Sequence, residues 1–137
     1  MSAQAGAAAG RKGPLAGLRV LDFSHAAAAP FATMFLADMG AEVIKIEPPK
    51  GGDLARATPP FIDGLSSQFT SLNRNKRSLA LDLRKDEARE IVKRLAKDAD
   101  VLLENNRPGV MDKLGLGAEH LRAINPRIVY VSVSGFG

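Results

Sequence analysis

The 137-residue chain has no cysteine and no tryptophan, one tyrosine, and aromatics at only 5%. Without cysteine there are no disulfides, no thiolate nucleophile and no cysteine-ligated metal, which fits a reducing compartment. No apolar run reaches the roughly 20 residues that a membrane span requires. The first residues, MSAQAGAAAGRKG, contain no acid and no leucine-rich stretch, so they lack the pattern of a signal peptide and read as a flexible tail over residues 1–13. The net charge is only +4, and the cluster NRNKR (73–77) has Phe69 as its sole aromatic neighbour. Basic clusters that bind nucleic acid usually come with stacking aromatics. A small anionic ligand or a solvated face suits this cluster better.

What is present is an ordinary apolar share, 45%, arranged in alternating patterns. Five runs read as strands: 18–23 (LRVLDF), 42–47 (EVIKIE), 78–83 (SLALDL), 100–105 (DVLLEN) and 127–134 (RIVYVSVS). They are apolar almost throughout, as in a parallel sheet covered on both faces. Helical patterns lie between them. The run 30–40 starts at Pro30, stops at Gly40 and places Phe31, Met34 and Phe35 on one face. The run 85–100 has Asp86 and Glu87 in its first turn and lines up Ala88, Ile91, Val92 and Leu95. Short helices are expected over 109–115 and 117–125, the second stopped before Pro126. The alternation predicts an α/β fold, a parallel sheet flanked by helices. Residues 48–72 read as one long connection, of a kind that is often functional.

In open α/β sheets ligands bind at the carboxyl ends of the strands. Three loops at that edge carry suitable groups, and each has a plainer reading. The turn SHAAAAP (24–30) joins the first strand to a helix, where small side chains let a ligand approach the backbone. It lacks the G-x-G-x-x-G pattern, and alanine resists positive φ, so a tight phosphate cradle is not expected. The plain alternative is that Ala26–Ala29 simply pack or extend the helix. Ser24 and His25 are adjacent, so on a strand they point to opposite faces and make a poor nucleophile–base pair. They read as polar contacts, and His120 as a solvated side chain. Arg84 and Lys85 follow the third strand, where cations can meet phosphate or simply face water. Asp82 is a candidate partner for a cation. The loop ENNRPG (104–109) offers amides and Arg107 beyond the fourth strand, or is a simple turn punctuated by Pro and Gly. The last strand runs to SVSGFG with no helix after it, so the chain is expected to be the N-terminal part of a longer protein.

Five stretches in order, PLAGLRVLDFSH, FATMFLADMGAEVIKIEPPKGGD, SLNRNKRSLALDL, DVLLENNRPGVMDKLGLG and INPRIVYVSVSGFG, resemble the class III CoA-transferase family. The family includes formyl-CoA transferase, carnitine and bile-acid CoA-transferases and α-methylacyl-CoA racemase. The resemblance runs from Pro14 to Gly137 and implies a Rossmann-like large domain of which residues 14–137 are an incomplete N-terminal, CoA-binding part. It implies a homodimer of interlocked subunits in the cytoplasm, without nucleic acid or membrane. It implies no permanently bound cofactor and no metal, with acyl-CoA and a carboxylic acid acceptor as substrates. In transferase members an aspartate attacks the acyl-CoA, forms an anhydride and then an aspartyl-CoA thioester, and passes CoA on. Racemase members instead exchange an α-proton with a histidine and an aspartate. In both, the catalytic groups lie beyond the SGFG stretch, so no catalytic residue falls within this chain and the chain by itself is expected to be inactive. Asp22, Asp38 and Asp82 are not substitutes.

Matching the family's binding stretches residue by residue points to Ala27 and Ala28 after the first strand, to Leu81, Asp82, Leu83 and Arg84 at the adenosine end, and to Asn105, Asn106, Arg107 and Lys113. The family's common phenylalanine is Asn106 here. Lys113 replaces a frequent arginine and so loses its planar fork. Pro48 stands where many members carry an arginine near the CoA phosphates, with Lys50 as a stand-in. Ala27 and Ala29 stand where formyl-CoA transferases have glutamine and glycine, a departure that counts against formyl or oxalyl chemistry. Two further readings compete: a CoA- or nucleotide-binding module that folds alone, and a nucleic-acid binder using residues 73–94.

Overall fold

The computed structural model describes residues 12–135. Five strands form one parallel sheet: β1 (Arg19–Phe23), β2 (Glu42–Glu47), β5 (Arg77–Ala80), β6 (Val101–Glu104) and β7 (Val129–Ser132), in the order β5-β2-β1-β6-β7. The strand order reverses at β1, so the connections leaving β1 and β6 part in opposite directions. That divergence opens a crevice at the carboxyl edge, where doubly wound folds bind their ligands.

Alternation along each strand sends successive side chains to opposite faces. On one face Leu21, Phe23, Ile46 and Leu102 meet Val92 and Ala96 of helix α3 (Asp86–Ala96) and Leu121 of α5 (Ala118–Ile124). On the other, Val20 and Val43 meet Ala37 of helix α1 (Ala28–Asp38). β7 is an edge strand, and its Val129 is 56% exposed.

All five expected strands form: the second spans 42–47 as expected, the third starts one residue early at Arg77, and the others are shortened at their ends. The third stops at Ala80 because the Asp82 carboxylate accepts the N–H of Arg84 and turns the chain. Helix α3 ends at Ala96, four residues before the expected limit, and Asn125 caps its exit by donating to Ala96 O and Ala99 O at 3.0 and 2.8 Å. The short helices appear as α4 (Val110–Lys113) and α5.

Two expectations fail. Helix α1 begins at Ala28, so Pro30 is its third residue. Phe31 and Phe35 do not join the core with Met34. They stand 46% and 45% exposed and stack edge-to-face with ring centroids 4.7 Å apart. The connection 48–72 is also not a plain loop. It holds a 3-10 turn (Leu54–Ala57), a hairpin of β3 (Phe61–Ile62) and β4 (Leu65–Ser66), and helix α2 (Ser67–Leu72). Ser66 caps α2 by accepting the Phe69 N–H. Of the expected N-terminal tail, residues 1–11 lie outside the described residues, as do Phe136 and Gly137 of SGFG. Gly13, by contrast, packs against the Met39–Gly40 corner.

Candidate functional site

A cleft of about 550 Å³ opens at the carboxyl edge of the sheet. Phe23, Ser24 and His25 form its β1 side, and Glu47, Pro48, Gly52, Asp53 and Leu54 its β2 side. Leu81–Arg84 close it beyond β5, and Asn106, Val110, Met111 and Leu114 beyond β6. Its walls are mostly apolar with a few polar groups, the usual character of a small-molecule site.

Buried charges hold the walls in place. The Lys45 ammonium lies 2.8 Å from Asp53 Oδ2 and donates to Ser24 O at 2.7 Å. The Lys45–Asp53 contact is ionic and poorly aligned, so Asp53 Oδ2 has no hydrogen-bond donor in line with it. Asp53 Oδ1 accepts the N–H groups of Ala26 (3.0 Å) and Ala55 (2.9 Å). Burial pushes the Asp53 carboxyl up, but Lys45 and these N–H groups together bring it below its ordinary value. Two residues beyond Lys45 on β2, Glu47 accepts two bonds from Arg56 (2.7 and 2.8 Å), one from Ser78 (2.7 Å) and one from the Asp53 N–H (3.0 Å). Burial opposes the charge there too, yet these donors hold the carboxyl at about 2.

A second buried pair lies on the far side of the turn. Lys76 donates to Asp22 Oδ2, to Pro30 O and to Asn73 Oδ1, each at 2.9 Å. Burial lowers the Lys76 ammonium from its ordinary value, and Asp22 only partly offsets this. Asp22 also accepts from Ser24 N, Ser24 Oγ and Thr33 Oγ1. A carboxylate with this many donors is a frame member and a poor nucleophile. Asp38 and Asp82 are likewise paired, with Arg74 and Arg84.

The turn after β1 departs from expectation in one respect. Ala26 does adopt a positive φ, +67°, which alanine resists, and the Asp53 carboxylate is what holds its N–H there. Ser24 is buried against Asp22 while His25 lies on the cleft wall, so the two do not pair.

Of the residues singled out in the sequence, Leu81, Asp82, Leu83, Arg84 and Asn106 line the cleft together. Arg84 grips Asp82 with two bonds, 2.8 and 2.9 Å, and stays exposed. Ala27 and Ala28 are exposed where α1 begins, next to the cleft wall and outside its lining. Asn105 spends its side chain on the backbone of His25. Arg107 and Lys113 are exposed and outside the lining, as is Lys50, whereas Pro48 lines it. His120 is exposed. Among the described residues no cluster of acids and histidines is arranged to hold a metal ion.

Sequence reasoning missed Lys45 and Asp53, and it read Lys76, within NRNKR (73–77), as facing a small anion or solvent, whereas that ammonium is buried against Asp22. The signal for Lys45 was available: a lysine inside the buried strand EVIKIE needs a buried acid.

This architecture is shared with known proteins. The pattern of CoA-transferase family III matches residues 15–137. The chain belongs to CoA-transferase family III. It is 48% identical over 126 residues to acetyl-CoA:oxalate CoA-transferase of Acetobacter aceti, covering 92% of this chain and 32% of that protein. It is 49% identical over 130 residues to succinyl-CoA:mesaconate CoA-transferase of Haloarcula hispanica, covering 91% and 33%. Among solved structures, Rv3272 from M. tuberculosis superposes with a TM-score of 0.86 at 44% identity, covering 93% of this chain and 36% of that one. A CAIB/BAIF family protein from Brucella suis gives 0.85 at 42%, covering 91% and 34%. The chain thus spans about a third of the length of the family III relatives it matches.

Proposed function

We propose that the complete protein transfers coenzyme A between an acyl-CoA and a carboxylic acid acceptor, and that the described residues supply the CoA-binding edge of its large domain. The observation that carries this reading is the cleft itself. It opens at the carboxyl edge of a parallel sheet, and residues matched to the family's CoA stretches, Leu81–Arg84 and Asn106, line it from two separate loops. Leu81 and Leu83 offer apolar surface to a flat base, and Arg84 offers a charge to phosphate.

The chemistry follows the family's scheme. An aspartate outside this chain attacks the thioester carbonyl, and the CoA thiolate leaves as a mixed anhydride forms. The thiolate then attacks the aspartyl carbonyl, which releases the first acid and gives an aspartyl-CoA thioester. The acceptor carboxylate attacks that thioester, CoA leaves again, and its return to the acceptor's carbonyl completes the new acyl-CoA and frees the aspartate. Each step exchanges bonds of similar energy, so no external energy source is needed. The part played by this chain is to bind and orient CoA. By the family resemblance, the complete enzyme works as a homodimer in the cytoplasm.

Transfer is favoured over racemisation because the relatives compared above carry transferase names. Those names include oxalate and mesaconate as acceptors at nearly equal identity, so identity does not choose the acceptor, and oxalate stays in the test despite Ala27 and Ala29. The test is to purify the product of the complete reading frame, supply succinyl-CoA with oxalate, mesaconate or glutarate, and read the acyl-CoA products by mass. Transfer to at least one acid is expected, together with a hydroxylamine-trappable thioester on the protein. No transfer, combined with α-proton exchange of a 2-methylacyl-CoA in deuterated water, would make the enzyme a racemase.

A further inference from the structure

The backbone leaving β1 is held by side chains at five successive polar groups. The N–H of Ser24 donates to Asp22 (2.9 Å), and Ser24 O accepts from Lys45 (2.7 Å). His25 N–H donates to Asn105 Oδ1 (2.9 Å), and His25 O accepts from Asn105 Nδ2 (3.0 Å). The N–H of Ala26 donates to Asp53 Oδ1 (3.0 Å). The four side chains come from β1, β2, the loop after β2 and the loop after β6. Regular structure normally satisfies such groups by backbone pairing, and about two-thirds of protein hydrogen bonds are of that kind. Here none of the five uses one of these backbone partners. The arrangement also requires buried charge and a left-handed alanine, each of which opposes stability.

We propose that this frame fixes the turn 24–26 so that Ser24 and His25 form a preorganised wall for the acyl-CoA, and that Asn105 is a positioning residue which acts through the His25 backbone. The proposal rests on the CoA-transfer reading and deepens it. It also reassigns Asn105. Both ends of its amide are spent on His25, so the side chain serves the ligand by fixing the wall. Asn105 joins β6 to β1 at the point where the sheet order reverses, so it sets the relation between the two sides of the crevice. With its backbone clamped on both sides, His25 has its place on the cleft wall set before any ligand arrives. Preorganisation of this kind lowers the cost of binding.

The molecule contains its own control. Asn125 is also a side-chain amide bonded to backbone at both ends, through Ala96 O, Ala99 O and the N–H of Arg127 (3.1 Å). It lies just ahead of β7, at the opposite edge of the sheet from the cleft, and has no part in the cleft lining.

The experiment uses the full-length protein with Asn105→Leu, Asn105→Asp and Asn125→Leu, scored by acyl-CoA kinetics, thermal midpoint and amide hydrogen exchange. Asn105→Leu should raise KM for the acyl-CoA about tenfold while kcat stays within about twofold. It should speed exchange in peptides covering 23–30. Asn105→Asp keeps the acceptor for the His25 N–H and should recover part of the KM loss. Asn125→Leu should lower the midpoint and leave KM unchanged. The inference is overturned if Asn105→Leu keeps the wild-type KM, or if both leucine variants shift KM alike. Should the wild-type protein neither bind nor transfer CoA, the functional reading fails, and exchange over 23–30 alone decides the frame: unchanged exchange in Asn105→Leu rejects it, faster exchange supports it.

Discussion

Asp53 and Ala26 are 27 positions apart, and the carboxylate of one holds the N–H of the other at 3.0 Å. That bond ties the loop after β2 to the turn after β1, and the Lys45 ammonium beneath it makes the tie a buried ion pair. Asp53→Asn keeps an oxygen for Ala26 but sets an amide N–H₂ against the ammonium. An uncompensated buried charge costs about 3–5 kcal/mol. The urea midpoint of the full-length protein should fall accordingly. The double variant Lys45→Met/Asp53→Asn removes the buried cation and should recover at least half the loss. A single variant as stable as wild type would show that Lys45 reaches water in solution.

Ala27 lies exposed at the start of α1, outside the left-handed region, and its backbone conformation is already borne by a residue with a Cβ. Ala27→Trp should therefore leave stability within about 0.5 kcal/mol. If CoA runs beside the turn, the indole blocks it, and calorimetric affinity of the full-length protein for CoA should fall. Unchanged affinity would move the CoA path away from Ala27.

Arg84 is 87% exposed and bonded only to Asp82, so it does little for the fold. Arg84→Ala should leave the thermal midpoint where it is. Its effect belongs to the ligand: CoA binding should weaken about fivefold at low salt, and the gap should narrow at high salt as phosphate attraction is screened. Equal affinities at low salt would take Arg84 out of the phosphate contact.

The strands and most of the helices were legible because burial on both faces leaves an unbroken apolar run, and α3 leaves a 3.6-residue period. That logic also misled. Phe31 and Phe35 have core spacing, yet the buried residues of α1 are Ala29, Pro30, Thr33, Met34 and Ala37, and the two rings stand half exposed against each other. The hairpin in 48–72 was signalled by Asp63-Gly64, both at positive φ, between Phe61–Ile62 and Leu65–Ser66. Strands of two residues are too short to show a period. The edge of the sheet that carries the cleft followed from the alternation of strands and helices, and Leu81–Arg84 with Asn106, matched through the family resemblance, lie there. The frame was not, because Lys45–Asp53, Asp22–Lys76 and His25–Asn105 pair residues 8, 54 and 80 positions apart. A lysine inside EVIKIE calls for a buried acid, but composition and spacing do not say which one until the sheet brings the partners together.

Glu47 gives the frame a dependence on pH. Its carboxyl is held at about 2 in the fold, against an ordinary value of 4.5. A depressed carboxylate adds stability that is complete above its unfolded value and disappears as pH falls through its folded one. The contribution is therefore present at pH 7, begins to fade near 4.5, and is gone by about 2. A shift of this size corresponds to about 3 kcal/mol. The donors behind it are specific: the Arg56 guanidinium is bidentate on the carboxylate and lies 3.7 Å over the Phe69 ring, which fixes its plane. Glu47→Gln breaks that fork and keeps the side chain's shape. The variant should be less stable at pH 7, and its urea midpoint should fall less steeply than that of wild type between pH 4.5 and 2. The two curves should converge at the acid end, where the wild-type carboxyl is protonated as well. Parallel curves over that range would mean that the carboxylate titrates near its ordinary value and that the Arg56 pair contributes packing alone.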